Sequence, residues 1–319
     1  MNVPSSKTGK NLSMKSNAFV RTLYQYWKYK YLVLLFLPGI IYFIIFKYLP
    51  IYGLVLAFKD YRFLDGIMGS PWVGFKHFHE MFSLQSFWEV FRNTVIISFY
   101  HLVFGFPAPI IFALLLNEIR NVYYKKIVQT ISYLPHFVSW VILGGLFMQF
   151  LSPSIGPINI LIKSLGGTPI YFLADPKWFR SVLVITEIWK SLGWGSIVYL
   201  AAISGIDPSL YESASIDGAG RWHKAIHITL PSMMPVITIM LILNVGKLVN
   251  DNFDQIFNLY NPAVYKVADV IGTYTYRMGL ENMRYSFSTA VGLFRNVISF
   301  TLLIIANQVS KKINDYGIW

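Results

Sequence analysis

The sequence predicts an all-α integral membrane protein with six transmembrane helices. Of its 319 residues, 55% are hydrophobic and only 13% are charged, whereas about a quarter of the residues of a soluble domain are usually charged. Apolar segments long enough to cross about 30 Å of hydrocarbon recur six times. These segments lack the two-residue alternation of β-barrel strands, so we expect helices.

The amino-terminal segment, residues 1–30, is predicted to be a basic cytoplasmic tail. It contains six lysines and arginines and no acidic residue. A basic tail beside an apolar segment is typical of the cytoplasmic side of a membrane protein, and this explains the net charge of +12 better than a nucleic-acid-binding arm does. The apolar segment continues without a small-residue cleavage site, so we expect it to remain as a transmembrane helix.

Residues 31–319 are predicted to form one transmembrane domain without an internal repeat. Prolines inside several spans predict kinked helices, which neighbouring helices can accommodate. An even number of spans after a cytoplasmic tail places both termini, and the loop between the fourth and fifth spans, in the cytoplasm. The predicted spans lie near residues 31–58, 93–116, 127–151, 181–203, 230–249 and 287–307.

The sequence offers little for catalysis or for metal and nucleotide binding. The absence of cysteine excludes disulfides, iron–sulfur clusters, thiolate zinc sites and cysteine nucleophiles. No glycine-rich phosphate-binding motif occurs, so we expect this chain not to bind ATP by itself. His223 and His227 have helical i, i+4 spacing but no obvious third zinc ligand, which favours two surface histidines. No catalytic residue and no metal site is predicted.

Ionisable and polar residues inside the predicted spans form two groups. Glu187 and Lys190 share one face of the fourth span, and Asn244 begins a polar stripe at the outer half of the fifth. Such residues are costly in hydrocarbon unless they face protein or water. Internal salt bridges with interhelical hydrogen bonds, and a hydrated pathway suited to carbohydrate, both remain open. The pathway candidates are Glu187, Trp189, Trp194, Tyr199, Asn244, Lys247, Asp251 and Asp254.

The cytoplasmic loop 207–229 has the local signals of two short helices. Asp207 followed by Pro208 predicts a helix start, and Asp217 followed by Gly218 predicts a tight turn. A second short helix should then run to Leu230–Pro231, where the fifth span begins. Such a compact knob, with its apolar and acidic side chains, suits docking to a partner. An acid–base pair of an intramembrane enzyme is the weaker interpretation, because no nucleophile accompanies the acids.

The same loop resembles the EAA loop of permease subunits of ATP-binding-cassette (ABC) importers. The resemblance rests on three groups, which are Glu212–Ser213–Ala214, Asp217–Gly218–Ala219 and Ile228–Thr229–Leu230–Pro231. Further segments are similar to the carbohydrate-uptake branch, and to the subgroup that serves complex oligosaccharides released from polysaccharides. These segments are NEIRN (117–121), SYLPHFVSWVI (132–142), IWKSLGWGSIVYLAAISGIDPSLYE (188–212) and YGIW (316–319).

The resemblance implies a six-helix type I ABC importer permease fold in the bacterial cytoplasmic membrane. It implies a heterodimer with a second, homologous permease, two copies of an ABC ATPase that bind ATP and Mg²⁺, an extracytoplasmic solute-binding protein, and an oligosaccharide substrate. Lipid surrounds the chain, and no nucleic acid is involved. Ser213 and Ala225 depart from the usual alanine and phenylalanine. The residues implied in ATPase coupling are Tyr211, Glu212, Ser213, Ala214, Asp217, Gly218, Ala219, Trp222, Leu230 and Pro231.

Two other functions remain as alternatives to the importer permease. A self-contained secondary sugar transporter would move sugar without an ATPase, although six spans without a repeat are few for such a carrier. A membrane-embedded glycan transferase would turn over lipid-linked sugar and depend on Asp217.

Overall fold

The computed structural model describes residues 27–250, 252–314 and 316–319, and these residues are almost entirely helical. Among them no strand forms, and only an isolated antiparallel bridge joins Lys59 to Trp72. The predicted all-α class is therefore confirmed. The chain separates into two units, Met1–Val55 and Leu56–Trp319. The predicted division into a tail (1–30) and one domain (31–319) stays a prediction, and residues 1–26 of that tail lie outside the described residues.

The first unit is a single helical run whose described side chains are mostly exposed. The α-helix Lys30–Phe43 continues into the π-helical turn Ile44–Tyr48. A 3-10 segment, Leu49–Phe58, follows and ends in the second unit. The run contains a nearly continuous series of apolar residues that no other part of its own unit buries, as expected of a helix surrounded by lipid.

The second unit consists of helices joined by short turns. Its α-helices are Gly66–Gly69, Lys76–Ser83, Gln85–Tyr100, Pro107–Asn117, Val122–Tyr133, Trp140–Phe150, Pro157–Ser164, Pro176–Ser204, Pro208–Ile216, Arg221–Lys224, Leu230–Gly246, Phe253–Leu259, Tyr265–Ala268, Ile271–Tyr276 and Tyr285–Asn314. Its π-helical turns are His101–Gly105, Ala225–Thr229 and Arg277–Glu281, and its other 3-10 segments are Leu134–Phe137 and Pro262–Val264.

The described residues contain four helical runs long and apolar enough to cross a membrane, which are Lys30–Phe58, Gln85–Asn117, Arg221–Gly246 and Tyr285–Ile313. The number rises to five if the bent pair Val122–Phe137 and Trp140–Phe150, which meet at 103°, forms one span. The predicted fourth span lies within the 29-residue helix Pro176–Ser204. That helix is long enough to cross but less apolar than the other four, so the total of six spans stays a prediction.

The helix Pro176–Ser204 is the centre of the second unit. It packs against Pro107–Asn117 and Leu230–Gly246, and its buried residues belong to two of the three apolar clusters. Because lipid is as apolar as these side chains, such helices associate mainly through close packing at small residues. Gly193 meets this condition, since a methyl group there would lie 2.2 Å from the carbonyl oxygen of Ser132.

Candidate functional site

A groove of about 540 Å³ runs between three helical segments of the second unit. The segments are the turn His101–Gly105 with the helix after it, the helix Pro176–Ser204, and the end of the helix Leu230–Gly246. Glu187 and Tyr199 line it from one helix and are twelve residues apart, which corresponds to about 18 Å at 1.5 Å per residue. Its polar lining residues are Ser98, His101, Glu187, Ser191, Tyr199, Asn244, Lys247, Asn250 and Asn252.

Four of the eight pathway candidates, Glu187, Tyr199, Asn244 and Lys247, line this groove. Glu187 Oε2 accepts a hydrogen bond from Asn252 Nδ2 at 2.6 Å. Asn244 Nδ2 donates to the carbonyl oxygen of Met240 at 2.8 Å. The exposed Lys247 has no ion pair with any described residue.

The structure does not bring three other candidates to the groove. Trp189 packs edge-on against Phe147 with ring centroids 5.7 Å apart. The ring of Trp194 stacks on His136 at 4.5 Å, and neither tryptophan is among the lining residues. Asp254 is exposed on the separate helix Phe253–Leu259. The eighth candidate, Asp251, lies outside the described residues.

The polar stripe predicted on the fifth span is wrong as a helical stripe, because the helix ends at Gly246. Lys247 is the C-cap, and Asn250 N–H donates to the Lys247 carbonyl in the following turn at 2.8 Å. Glycine is favoured near helix ends, and Gly246 is also the residue that packs closely on Leu303. Beyond Asn244 the helical spacing therefore no longer determines which side chains share a face.

Lys190 was predicted to share a face with Glu187, but the two side chains have different partners. Lys190 Nζ donates to the carbonyl oxygens of Pro135, His136 and Val138 at 3.2, 2.9 and 2.6 Å. The described residues contain no ion pair between Lys190 and Glu187. The internal salt bridge considered from the sequence is thus replaced by lysine–carbonyl hydrogen bonds at the break in the bent helix pair.

The loop 207–229 begins with the predicted capped helix. Asp207 Oδ1 accepts from the Ser209 amide at 2.9 Å, and Pro208 takes the first helical position of Pro208–Ile216. The bond from the Ser209 backbone amide holds the pKa of the Asp207 carboxyl below its usual value. This aspartate is therefore charged at neutral pH and stabilises the amino-terminal end of the helix.

The turn after this helix needs glycine. Gly218 has φ +77°, the left-handed conformation that glycine adopts without strain. Ala219 N–H donates to the Ala214 carbonyl oxygen at 2.8 Å, and Gly218 N–H donates to the Ser215 carbonyl oxygen at 3.2 Å. This pair of bonds is a Schellman motif, which fixes the angle between the two parts of the loop.

After the turn, the structure differs from the predicted short second helix. The segment Arg221–Lys224 continues through the π-helical turn Ala225–Thr229 into Leu230–Gly246, giving one run of 26 residues. The second half of the loop and the fifth predicted span are therefore parts of the same helical run. Leu230 and Pro231 lie inside this run instead of at a boundary. A proline there is tolerated because the widened π-helical turn precedes it.

The remaining predicted coupling residues surround an exposed surface of the loop. Ile216 and Trp222 are 86% and 76% exposed, and the exposed Glu212 and Ser213 lie on the first helix. Tyr211 is turned inward, where its hydroxyl lies 2.9 Å from Thr229 Oγ1. A cavity of about 470 Å³ lies beside the turn and is lined by Ala214, Asp217, Gly218, Ala219, Gly220, His223, Lys224, His227 and Ile228.

The two loop histidines pack on each other, with ring centroids 4.3 Å apart. His227 Nδ1 lies 3.1 Å from the carbonyl oxygen of His223. Within the described ranges, no group of three or more histidines and acids is arranged to hold a metal ion.

A protein-family model, the binding-protein-dependent transport system inner membrane component, matches residues 105–315. The match covers the groove-lining helix Pro176–Ser204 and the whole loop 207–229. The chain belongs to this family. It is therefore a transport permease of a cell membrane, in agreement with its apolar helices.

Two curated relatives from Bacillus subtilis (strain 168) resemble this permease over most of their length. Protein LplB is 46% identical over 290 residues, which are 91% of each chain. The polygalacturonan/rhamnogalacturonan transport system permease protein YteP is 45% identical over 290 residues, which are 91% of this chain and 90% of YteP.

Two solved structures have the same fold as the permease. The first is a crystal structure of a bacterial ABC transporter involved in the import of the acidic polysaccharide alginate, with TM-score 0.85, 44% identity and coverage of 92% of this chain and 99% of that chain. The second is a bacterial alginate ABC transporter in complex with alginate pentasaccharide-bound periplasmic protein, with TM-score 0.85, 43% identity, and 93% and 99% coverage.

Several groove residues of the permease were not predicted from the sequence, namely Ser98, His101, Asn250 and Asn252. His101 opens the π-helical turn His101–Gly105, and the register of such a turn is not visible in apolar periodicity. Asn252 is the partner of Glu187 but lies outside the predicted spans. The available signal was that each is a polar residue in or beside an apolar segment.

Proposed function

We propose that this permease is one subunit of an ATP-driven, binding-protein-dependent importer of oligosaccharides released from acidic polysaccharides. It forms half of the translocation pathway and couples to a separate ATPase through the loop 207–231. The observation that carries the proposal is the polar groove, because it runs along a helix for about 18 Å, more than half the hydrocarbon thickness.

The groove suits a sugar by its chemistry and by its openness. Hydroxyl, amide and imidazole groups line it beside apolar residues, and sugars offer both hydroxyls and C–H faces. It is open to the surface of the chain, so a second, homologous permease could complete its wall. This placement supports roles for Glu187, Tyr199, Asn244 and Lys247 as pathway residues.

An anionic substrate is favoured by the relatives of the permease, and the groove contains one cation that can bind it. Its one lysine, Lys247, has no described ion pair, whereas its one carboxylate, that of Glu187, accepts a hydrogen bond from Asn252. The relative YteP is named for polygalacturonan and rhamnogalacturonan transport, and the solved neighbour is involved in alginate import. The ammonium group of Lys247 can pair with a carboxylate of such a sugar, whereas the Glu187 carboxylate keeps its charge because its partner is a neutral amide.

The loop supports coupling to an ATPase that is a separate chain. Its exposed apolar pair, Ile216 and Trp222, can enter a cleft, and the carboxylate of Glu212 has no partner among the described residues. The remaining predicted coupling residues shape this surface. ATP and Mg²⁺ would bind to two copies of the ATPase, and a solute-binding protein would deliver sugar to the other face. Both termini of the permease would be cytoplasmic.

The test is uptake of a radiolabelled pentagalacturonide into proteoliposomes. Vesicles that contain this chain, a second permease and the ATPase, with the binding protein outside and ATP inside, should accumulate the sugar. Vesicles that contain this chain alone should neither hydrolyse ATP nor take up sugar when a proton or sodium gradient is imposed.

Two results would replace the proposal. Gradient-driven uptake by the chain alone would make it a secondary transporter. Turnover of lipid-linked sugar without the ATPase, and its loss in Asp217→Asn, would make it a transferase.

A further inference from the structure

His101 differs from the other groove residues in its hydrogen bonding. It lies in the helical run Gln85–Asn117, at the first position of the π-helical turn, and lines the groove. Its Nε2 is buried and makes no hydrogen bond with a described side chain, while the ring interacts with the backbone of Leu183 on the helix Pro176–Ser204. Most buried polar atoms are paired, so an unpaired imidazole nitrogen beside an open groove needs an explanation.

The turn itself explains how the imidazole reaches the groove. A π-helical turn inserts an extra residue into a helix and rotates the side chains that follow, and such turns occur often at functional sites. Gly105 and Pro109, which follow in the same run, also line the groove. The turn therefore contributes His101, Leu102 and Gly105 to the wall of the groove, whereas Val103 and Phe104 on the same turn are exposed and do not line it.

We propose that His101 contacts the oligosaccharide in the groove, with Nε2 paired to a sugar hydroxyl or carboxylate oxygen. An imidazole nitrogen can donate to either group, and a neutral one can also accept from a hydroxyl. The inference rests on the proposed function, and it adds a residue that determines how well the pathway accepts its sugar.

The first test uses the absence of cysteine in the natural chain. His101→Cys and Val103→Cys each introduce one thiol, and Val103 is the matched control because it lies on the same turn but does not line the groove. In the assembled complex, a charged methanethiosulfonate reagent should modify Cys at position 101 and spare Cys at position 103. Pentagalacturonide should protect position 101.

A second ligand distinguishes a contact with a sugar hydroxyl from a contact with a sugar carboxylate. Fully methyl-esterified pentagalacturonide keeps the hydroxyls and lacks the carboxylates. Protection by both sugars supports a hydroxyl contact, and protection by the acid form alone supports a carboxylate contact. Protection by neither sugar would overturn the inference, as would modification of both cysteine positions to the same extent.

The second test compares uptake by two variants of similar size. His101→Leu should lower the uptake rate about tenfold, because it removes a hydrogen bond made during passage. His101→Gln, which retains a polar atom near the Nε2 position, should stay within about threefold of the wild type. ATP hydrolysis without sugar should be the same in all three. Equal uptake in His101→Leu and wild type would overturn the inference.

The failures of the two proposals are distinguishable. If the wild-type complex shows no ATP-dependent uptake while sugar still protects the cysteine at position 101, the proposed function is wrong and the contact stands. If the wild type transports normally but position 101 is neither modified nor protected, only the contact is wrong.

Discussion

Gly193 determines how closely the helix Pro176–Ser204 approaches the bent helix pair. The residue is buried, and an added methyl group would lie 2.2 Å from the Ser132 carbonyl oxygen and 2.4 Å from its carbonyl carbon. These are backbone atoms, so no side-chain rotation can make room. Close backbone approach at a small residue is a main source of helix association in lipid, and here it also places Lys190 and Trp194 beside the break.

Gly193→Ala should therefore lower the free energy of unfolding by about 1–3 kcal/mol, the usual cost of overpacking. The measurement is denaturant titration of the chain in detergent micelles. Gly145→Ala is the control, because Gly145 lies in the neighbouring helix Trp140–Phe150 and has no atom within 4 Å of the added methyl group. A Gly193→Ala protein as stable as Gly145→Ala would show that the helices can separate without cost.

Lys190 joins two elements at the break of the bent helix pair. Its ammonium group donates to three carbonyl oxygens around the end of the 3-10 segment Leu134–Phe137 and lies 5.6 Å from the ring of Trp140. The carbonyl end of a helical segment carries partial negative charge and unpaired acceptors. The ammonium group of Lys190 supplies both a positive charge and hydrogen-bond donors at this end. The bend of 103° is therefore stabilised by a residue of a different helix, Pro176–Ser204.

Lys190→Met should destabilise the protein by about 1–3 kcal/mol in the same titration, because the partly buried carbonyl groups of His136 and Val138 lose the Lys190 donor. Glu187→Gln is the informative control. It removes the nearest carboxylate on the same face, and its amide oxygen can still accept from Asn252. A destabilisation as large in Glu187→Gln as in Lys190→Met would restore the salt bridge that the sequence suggested and refute the carbonyl role.

Local signals made the loop predictable, whereas contacts distant in sequence made the groove hard to predict. The cap at Asp207 and the left-handed Gly218 follow from adjacent residues, and both are present as expected. In contrast, Gly246 at the helix end packs on Leu303, and Lys190 donates to carbonyl groups near Pro135, so the partners of both residues are distant in sequence. For this reason four pathway candidates line the groove, while Trp189, Trp194 and Asp254 do not.

At the scale of the whole second unit, the second half of the loop and one wall of the groove lie on the same helical run. Trp222 lies near the start of the run Arg221–Gly246, and Asn244 lies in the groove near its end. The two residues are about 33 Å apart at 1.5 Å per residue. Movement of the loop can therefore reach the groove as displacement of a continuous helix, which is rigid-body coupling between two states. The exposed ion pair Arg221–Glu118, at 3.8 Å, adds little to this connection.

This connection makes Gly218 the residue whose change should separate ATP hydrolysis from transport. Proline cannot adopt a φ of +77° and has no N–H to donate to Ser215, so Gly218→Pro should change the angle of the first loop helix while the groove stays intact. We expect reconstituted complexes to retain ATP hydrolysis, while their rate of sugar uptake falls about tenfold or more. Such a fall corresponds to a loss of about 1.4 kcal/mol in coupling free energy.

Glu212→Lys, which reverses an exposed charge without altering the backbone, should act in the same direction. Gly220→Ala is the matched control, since Gly220 has φ −71° and open space around it. Normal sugar uptake per ATP hydrolysed in both Gly218→Pro and Glu212→Lys would mean that the ATPase contacts the permease at a surface other than this loop.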